Sequence, residues 1–315
     1  MIHEDVRKVV DDARIRQMRG GTVVTHAALK ALRSAAVKSE ASSTSEFLSE
    51  LEENTKYLAM IRVASIPLSN GLRRVLWEVQ QVADRGASID TLKETLSKSA
   101  QGYEQELNES IEKIAEIGAR RLRDGDVVMT HSYSSSVIAI LKRAQEQGKK
   151  LKLFVSETRP ELEGRDVARE LVAAGIETTL IIDSAVTHFV KDSDKVMVGA
   201  EAVAANGAIV NKIGTATIAA VAHGARVRVF VAASTYKFSP ETMFGELIEI
   251  EERDASYVLD DPEMRTLPGL KVRNPAFDVT SPEDVDLIIT ERGVIPPQAA
   301  IMIVREKRDF PILAA

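Results

Sequence analysis

The fold is indicated most clearly by Val198-Gly199-Ala200-Glu201-Ala202-Val203-Ala204-Ala205-Asn206-Gly207-Ala208-Ile209-Val210-Asn211-Lys212-Ile213-Gly214-Thr215. An apolar run at 195–198 predicts a strand that ends in Gly-Ala and the carboxylate of Glu201. After an Asn-Gly turn, Asn211 and Lys212 open a segment rich in Ala and Ile that predicts a helix. A helix N-terminus offers free backbone N–H groups and partial positive charge. An acid and an amine placed beside it predict a site for a small anionic ligand.

Composition excludes several classes of protein. The 315 residues are enough for two domains, and 44% hydrophobic with 28% charged residues is an ordinary globular mixture. The net charge of −6 argues against nucleic acid or an anionic membrane as the main partner. No apolar run approaches a membrane span. With no Cys and five His, we expect neither a metal centre nor a cofactor. The N-terminus lacks a signal-peptide pattern, so the cytoplasm is the expected location.

The apolar spacing changes near Asp124-Gly125-Asp126. Before it, five amphipathic helices are predicted; after it, short β-rich runs alternate with helices, which predicts a mostly parallel sheet. The predicted strands are 127–129, 151–155, 178–182, 195–198, 227–231 and 287–289. The fold class is therefore α/β, with an N-terminal helical domain (1–120) and a Rossmann-like ligand-binding and oligomerisation domain (121–315), although a G-x-G-x-x-G turn is absent. The irregular segment 239–283 is expected to have a function or to pack on a partner.

Polar residues follow every predicted strand, and ligands bind at the carboxyl ends of strands in open parallel sheets. Hydroxyl groups, cations and carboxylates at these ends suit a phosphorylated sugar or a nucleotide. The candidate ligand-binding residues are Ser132, Ser134, Glu157, Arg159, Asp183, Glu201, Asn211, Lys212 and Lys237, with Arg19, Gly20 and Arg62 from the N-terminal region. Each one taken alone has a commoner structural role, such as helix capping by Ser134 or an ion pair between Glu157 and Arg159. Their coincidence at the strand ends is what favours a pocket.

Ten motifs occur in the order known from one protein family. They are Arg19-Gly20, Arg62 with Asn70, Thr130-His131-Ser132-Tyr133-Ser134, Glu157-Thr158-Arg159-Pro160, Asp183-Ser184, Gly199-Ala200-Glu201, Asn206-Gly207, Asn211-Lys212-Ile213-Gly214-Thr215, Tyr236-Lys237-Phe238 and Asn274-Pro275-Ala276-Phe277-Asp278-Val279-Thr280-Ser281-Pro282. Over nearly its whole length the chain resembles the superfamily that joins the alpha, beta and delta regulatory subunits of translation initiation factor 2B with sugar-phosphate aldose–ketose isomerases. These include ribose 1,5-bisphosphate isomerase and methylthioribose-1-phosphate isomerase. The resemblance implies a homo-oligomer, either a dimer or a ring of dimers.

Two positions depart from the isomerase pattern that the resemblance implies. Ser132 aligns with a Cys and Glu201 with an Asp. A hydroxyl is far less acidic than a thiol, whose pKa is about 8.5, so it is a poor substitute unless a base is added. Glu is one methylene longer than Asp, and a misplacement of about 1 Å can cost on the order of a hundredfold in rate. The phosphate-binding residues are retained, namely Arg19, Gly20, Arg62, Asn211, Lys212 and Lys237.

Three functional hypotheses follow. The departures favour a non-catalytic protein like a regulatory subunit, which binds the alpha subunit of initiation factor 2, senses a phosphorylated metabolite, or does both. The alternative is an aldose–ketose isomerase acting on ribose 1,5-bisphosphate or a related sugar phosphate, with Glu201 as acid/base and Ser132 or His131 polarising the substrate or shuttling protons. A structural scaffold without a ligand is the third and least favoured. Direct binding of nucleic acid or of a membrane is not expected.

Overall fold

The computed structural model describes residues 2–14, 20–61, 64–259 and 261–306. These residues form two compact units. The first runs to Glu109 and includes Arg305 and Glu306, and the second runs from Ser110 to Val304. The domain boundary at residue 120 stays a prediction. Within the described ranges, none of the helices is both long enough and apolar enough to cross a membrane.

Helices make up the first unit, as their apolar spacing predicts. They are α1 (Glu4–Arg14), α2 (Gly21–Lys38), α3 (Thr44–Ala59), α4 (Ile66–Ala83) and α5 (Ile89–Ala119), which continues into the second unit. Ser43 caps the third helix, because its hydroxyl accepts from the backbone N–H of Glu46 at 3.2 Å. The second helix begins at Gly21, and Gly20 precedes it with φ of 83°.

The second unit is built on a seven-stranded sheet in the order β10-β9-β7-β4-β1-β2-β3. All neighbouring strands are parallel except the β9–β10 pair. The strands are β1 (Val127–Thr130), β2 (Lys152–Ser156), β3 (Glu177–Ile181), β4 (Lys195–Val198), β7 (Arg228–Ala232), β9 (Leu287–Thr290) and β10 (Gly293–Ile295). The six predicted strands are therefore present within a residue or two, and the α/β class with a mostly parallel sheet is confirmed.

Helices follow or join these strands, and several of them bury apolar side chains against the sheet. They are α6 (Ser135–Glu146), α7 (Glu163–Ala173), α8 (Val186–Phe189), α9 (Thr215–Gly224), α10 (Pro262–Arg265) and α11 (Ala300–Glu306). One buried cluster includes Ile138, Leu141, Val167 and Leu171 from α6 and α7. A second includes Ile218 of α9 and lines the sheet with residues of β4 and β7. Burial of both sets follows from the apolar spacing of the helices.

A small antiparallel sheet, absent from the sequence-based prediction, follows β4. It consists of β5 (Ala202–Val203), β6 (Ile209–Lys212) and β8 (Phe277–Thr280) in the order β5-β6-β8. Asn211 and Lys212 thus belong to a strand, and the prediction that they open a helix is wrong. Helix α9 begins only at Thr215, after Gly214 reverses the chain with φ of 103°. Because β8 comes from the segment 239–283, that segment is partly structural.

Candidate active site

The carboxyl ends of β1 and β4 lie side by side at the centre of the sheet. From β1 the chain continues to β2 and β3 on one side, whereas β4, β7 and β9 lie on the other. Open α/β sheets bind ligands at such a reversal of strand order. Here the turn after β4 presses on the turn after β1, because a Cβ added to Gly199 would lie 2.6 Å from the Ser134 Oγ. The crevice at this reversal of strand order is therefore the expected place for a ligand-binding site.

Four polar side chains form a buried group at this crevice, called here the switch-point cluster: Ser132, Glu161, Glu163 and Lys212. The Ser132 hydroxyl donates to the Glu163 Oε2 at 2.5 Å. The Lys212 ammonium lies 3.5 Å from the Glu163 Oε1 and donates to Glu161. None of the three charged side chains is more than 10% exposed. Buried charges of this kind need paired partners, which the cluster supplies internally.

The backbone around the cluster adopts conformations that side chains disfavour. Ser132, Thr158 and Leu162 have φ of 61°, 62° and 58°. Hydrogen bonds hold these turns, since the Ser132 N–H donates to the Thr158 Oγ1 at 3.0 Å and the Leu162 N–H to the Thr158 carbonyl at 2.7 Å. Non-glycine residues in the left-handed region cost about 1–3 kcal/mol each and concentrate at functional sites. Three such residues surround one crevice, which indicates that its shape serves a function.

His131, which precedes Ser132, is buried, and both of its ring nitrogens have partners. Its Nε2 donates to the Ile213 carbonyl at 2.8 Å, because a carbonyl can only accept, and its Nδ1 lies 2.5 Å from the Ser156 hydroxyl. Burial lowers the pKa of His131, so the ring is neutral at pH 7 with its proton on Nε2. Both ring nitrogens bind other parts of the protein, and the role of His131 in moving a substrate proton stays a prediction.

Asp183 holds the loop after β2. Its two carboxylate oxygens accept from the backbone N–H groups of Thr158 at 2.8 Å and Arg159 at 2.6 Å. Glu157 pairs with Arg165 at 2.8 Å, and the ion pair considered between Glu157 and Arg159 is not the one formed. The Arg159 side chain is exposed and its guanidinium donates to the Val258 carbonyl at 3.4 Å. Their role in ligand binding stays a prediction.

The remaining predicted residues of this unit lie around β4 and β6. Glu201 is only 6% exposed, and its N–H donates to the Val210 carbonyl at 2.8 Å. The buried Lys237 ammonium donates to the Ala200 carbonyl at 2.5 Å, one residue before Glu201. The Asn211 amide donates to the Thr215 hydroxyl at 3.0 Å, and Ser134 caps α6 by accepting from the Val137 N–H. A continuous set of contacts thus connects the turns after β1 and β4 with β6.

The helix N-terminus predicted to bind an anion is occupied by the protein itself. The Asp278 carboxylate, on β8, accepts from the N–H groups of Gly214 at 2.7 Å and Ala216 at 3.1 Å. These are the groups that a bound phosphate would use at the start of α9. Burial raises the pKa of Asp278 to about 6, even though both N–H groups favour its charged form.

This raised pKa predicts a pH dependence of stability. The unfolded chain releases the Asp278 proton near pH 3.9 and the native protein near pH 6. The contribution of this proton to stability is therefore complete below about pH 4 and is lost as the pH rises through about 6. From pH 4.5 to pH 7 we expect the free energy of unfolding of the wild type to fall by on the order of 1–2 kcal/mol relative to that of Asp278→Asn. Urea unfolding of both proteins at the two pH values measures it, and an unchanged difference would contradict it.

Sequence reasoning missed three contributors, Glu161, Glu163 and the capping role of Asp278. The predicted candidates after β2 end at Pro160, and the signal for Glu161 and Glu163 is the run that follows, Glu161-Leu162-Glu163-Gly164. Arg19 and Arg62 lie outside the described residues. Gly20 belongs to the first unit, where it precedes α2. A contribution of these three to the site stays a prediction.

Known proteins resemble this chain over nearly its whole length. The sequence model of the Initiation factor 2 subunit family matches residues 17–297. A ribose 1,5-bisphosphate isomerase of Pyrococcus furiosus is 43% identical over 308 residues, which cover 98% of this chain and 95% of that protein. A methylthioribose-1-phosphate isomerase of Acetivibrio thermocellus is 34% identical, covering 92% of this chain and 88% of that protein.

Solved structures share the fold. The translation initiation factor eIF-2B of Pyrococcus horikoshii OT3 superposes with a TM-score of 0.82 at 28% identity, covering 95% of this chain and all of that chain. That structure carries the name of a translation factor, whereas the curated relatives at higher identity carry the name of an enzyme. The fold is thus common to both kinds of protein and does not choose between them.

The prediction of a non-catalytic regulatory protein is wrong. Six curated relatives, 38–43% identical to this chain, are all ribose 1,5-bisphosphate isomerases. The argument against catalysis rests on Ser132, which is a poor substitute for Cys unless a base is added. In the structure the Glu163 carboxylate lies against it and accepts a hydrogen bond from its hydroxyl at 2.5 Å.

Proposed function

This chain belongs to the Initiation factor 2 subunit family, and on that premise we propose that it is an aldose–ketose isomerase that converts ribose 1,5-bisphosphate into ribulose 1,5-bisphosphate. The observation that carries the proposal is the 43% identity over 98% of the chain to an isomerase of that name. The buried acids and amines at the sheet reversal are compatible with proton transfer on an anionic substrate. Binding to the alpha subunit of initiation factor 2 forms no part of the proposal.

The chemistry defines what the site must do. The bond from carbon 1 to the ring oxygen breaks, and that oxygen takes a proton. Hydrogen leaves carbon 2 and reaches carbon 1, and the hydroxyl on carbon 2 loses its proton to become a ketone. The site therefore needs one group that gives a proton to the ring oxygen and regains one from the carbon 2 hydroxyl, and a second that carries the carbon-bound proton.

Glu201 and Ser132 are assigned these two roles. The Glu201 carboxyl protonates the ring oxygen as the ring opens and later accepts the proton of the carbon 2 hydroxyl. Ser132 is assigned to the transfer of the proton from carbon 2 to carbon 1, in which the C–H electron pair of carbon 2 forms the double bond to carbon 1. Lys212, Lys237 and Asn211 are assigned to the phosphate groups, which means that Lys212 exchanges contacts with Glu161 or Glu163 when substrate binds.

Turnover by the purified chain tests the proposal. We expect ribose 1,5-bisphosphate to be converted into ribulose 1,5-bisphosphate, measured by phosphorus NMR of the reaction mixture. Methylthioribose 1-phosphate is the matched control, since it keeps the phosphate on carbon 1 and lacks the one on carbon 5. We expect a kcat/KM for it at least about a hundredfold lower, because cations left without their phosphate bind poorly. Equal rates with both substrates, or no turnover of either, would contradict the proposal.

Homo-oligomerisation, as a dimer or a ring of dimers, is a separate proposal. It is supported by exposed apolar side chains on the segment 239–283, where Phe244 is 62% and Leu247 is 93% exposed. The molar mass of the purified chain in solution, from light scattering, tests it, and a monomer at micromolar concentration would overturn it.

A further inference from the structure

Glu163 is an unusual first residue for a surface helix. An acidic residue in the first turn interacts favourably with the helix dipole, and α7 has two, Glu163 and Asp166. The Asp166 side chain is 34% exposed and pairs with Arg169, which is the ordinary arrangement. The Glu163 side chain is 8% exposed and points into the switch-point cluster. The helix dipole explains its charge but not its burial.

The two oxygens of the Glu163 carboxylate have different partners. One lies 3.5 Å from the Lys212 ammonium, and the other accepts the Ser132 hydroxyl at 2.5 Å. The Ser132 hydroxyl donates the second bond, and the carboxylate oxygen accepts it. The Ser132 oxygen is therefore aligned with a group that can take its proton at the moment when it accepts another. Ser-base pairs of this geometry activate hydroxyl groups in other enzymes.

We propose that Glu163 is a positioning residue that accepts the Ser132 proton during isomerisation. As the Ser132 oxygen takes the proton from carbon 2, its own O–H bond breaks and an O–H bond forms on Glu163. The electron pair of the C–H bond becomes the double bond between carbons 1 and 2. In the second step the Glu163 proton returns to Ser132, whose proton is given to carbon 1, so both groups regain their starting state. This inference rests on the proposed isomerase function.

A Ser132→Cys substitution separates this role from a structural one. A thiol has a pKa near 8.5 and ionises without help, whereas a serine hydroxyl does not. If Glu163 acts through the Ser132 proton, Glu163→Gln lowers kcat by about a hundredfold or more in the natural chain. In the Ser132→Cys chain the same change alters kcat by less than about tenfold. If Glu163 acts only by pairing with the Lys212 ammonium, Glu163→Gln lowers kcat by the same factor in the natural chain and in the Ser132→Cys chain.

Glu161→Gln is the matched control. Glu161 binds the same Lys212 ammonium and also lies 3.9 Å from the Arg253 guanidinium, so it reports the cost of disturbing the cation. Its effect should be the same in both backgrounds. Circular dichroism and melting temperature check folding, and Glu163→Asp replaces Glu163→Gln if the latter does not fold.

The outcomes separate the two proposals. Turnover with equal losses for Glu163→Gln in the natural chain and in the Ser132→Cys chain overturns the role of Glu163 and leaves the isomerase function standing. No turnover by the unsubstituted chain overturns both. A large loss confined to the natural chain supports the proton transfer from Ser132 to Glu163.

Discussion

Glu201→Gln is expected to lower kcat for ribose 1,5-bisphosphate by on the order of a thousandfold, with a change in KM of no more than a few-fold. Gln keeps the size and shape of Glu but neither gives nor takes a proton at neutral pH. The peptide group that precedes the Glu201 side chain is fixed, because its N–H donates to the Val210 carbonyl and its carbonyl, that of Ala200, accepts from Lys237. The Glu201 side chain thus extends from a fixed peptide and is only 6% exposed, and proton transfer depends on precise placement of the reacting groups.

A matched control comes from the same unit. Glu170 on α7 pairs with Lys142 at 2.6 Å and is 33% exposed. Glu170→Gln removes one carboxylate of the same size, and we expect it to retain kcat within about twofold, as surface substitutions usually do. Initial rates over a range of substrate concentrations give kcat and KM for both variants. A Glu201→Gln protein that keeps more than a tenth of the wild-type kcat would remove Glu201 from the proposed mechanism.

Glu201→Asp addresses the methylene that separates this chain from the isomerase pattern. If the site is built around the longer side chain, shortening it withdraws the carboxyl by about 1 Å and lowers kcat by roughly ten- to a hundredfold. Measured on the same assay, an equal or higher kcat for Glu201→Asp would mean that the longer side chain is a handicap that the site tolerates.

The central strands of the parallel sheet could be predicted because they are short apolar runs buried on both faces. Apolar residues of this kind at 196–198 and 229–232 have few other places in a folded protein. The small sheet could not, because β6 pairs with β8, more than sixty residues later in the chain. Its strand Ile209–Lys212 is too short for alternation to be visible, and it ends in Asn and Lys. Such pairings depend on tertiary contacts rather than on local pattern.

The same distinction between local pattern and tertiary contacts applies to the residues of the candidate site. Ser132, Glu201 and Lys212 could be proposed as site residues from the sequence because each lies close to a predicted strand or turn. Glu163 could not be proposed in this way. The direction in which its side chain points depends on the turn that contains Thr158 and Leu162, and both adopt left-handed conformations that their side chains do not favour. A turn built from such residues is specified by its surroundings, here by Asp183 and Ser132, and not by its own composition.

Gly164→Ala is the second change with a large expected effect, because α7 begins in direct contact with the end of β2. A Cβ at Gly164 would lie 1.8 Å from the Ser156 carbonyl oxygen, and the Gly164 N–H donates to the Glu157 carbonyl at 3.2 Å. The obstacle is backbone rather than a flexible side chain, so the helix must move away from the strand. We expect a loss of roughly 3 kcal/mol or more in the free energy of unfolding.

Stability and activity should fall together in this variant. Glu163 immediately precedes Gly164, so a displaced α7 withdraws the carboxylate from Ser132 and Lys212. Urea unfolding and the isomerase assay measure the two effects. Gly102→Ala in α5 is the control, since nothing among the described residues lies within 4 Å of a Cβ built there. Alanine is favoured over glycine in a helix by up to about 1 kcal/mol, so this control should be as stable as the wild type or more so. Wild-type stability in Gly164→Ala would mean that helix and strand are not pressed together as described, and the position of Glu163 against Ser132 would lose its structural basis.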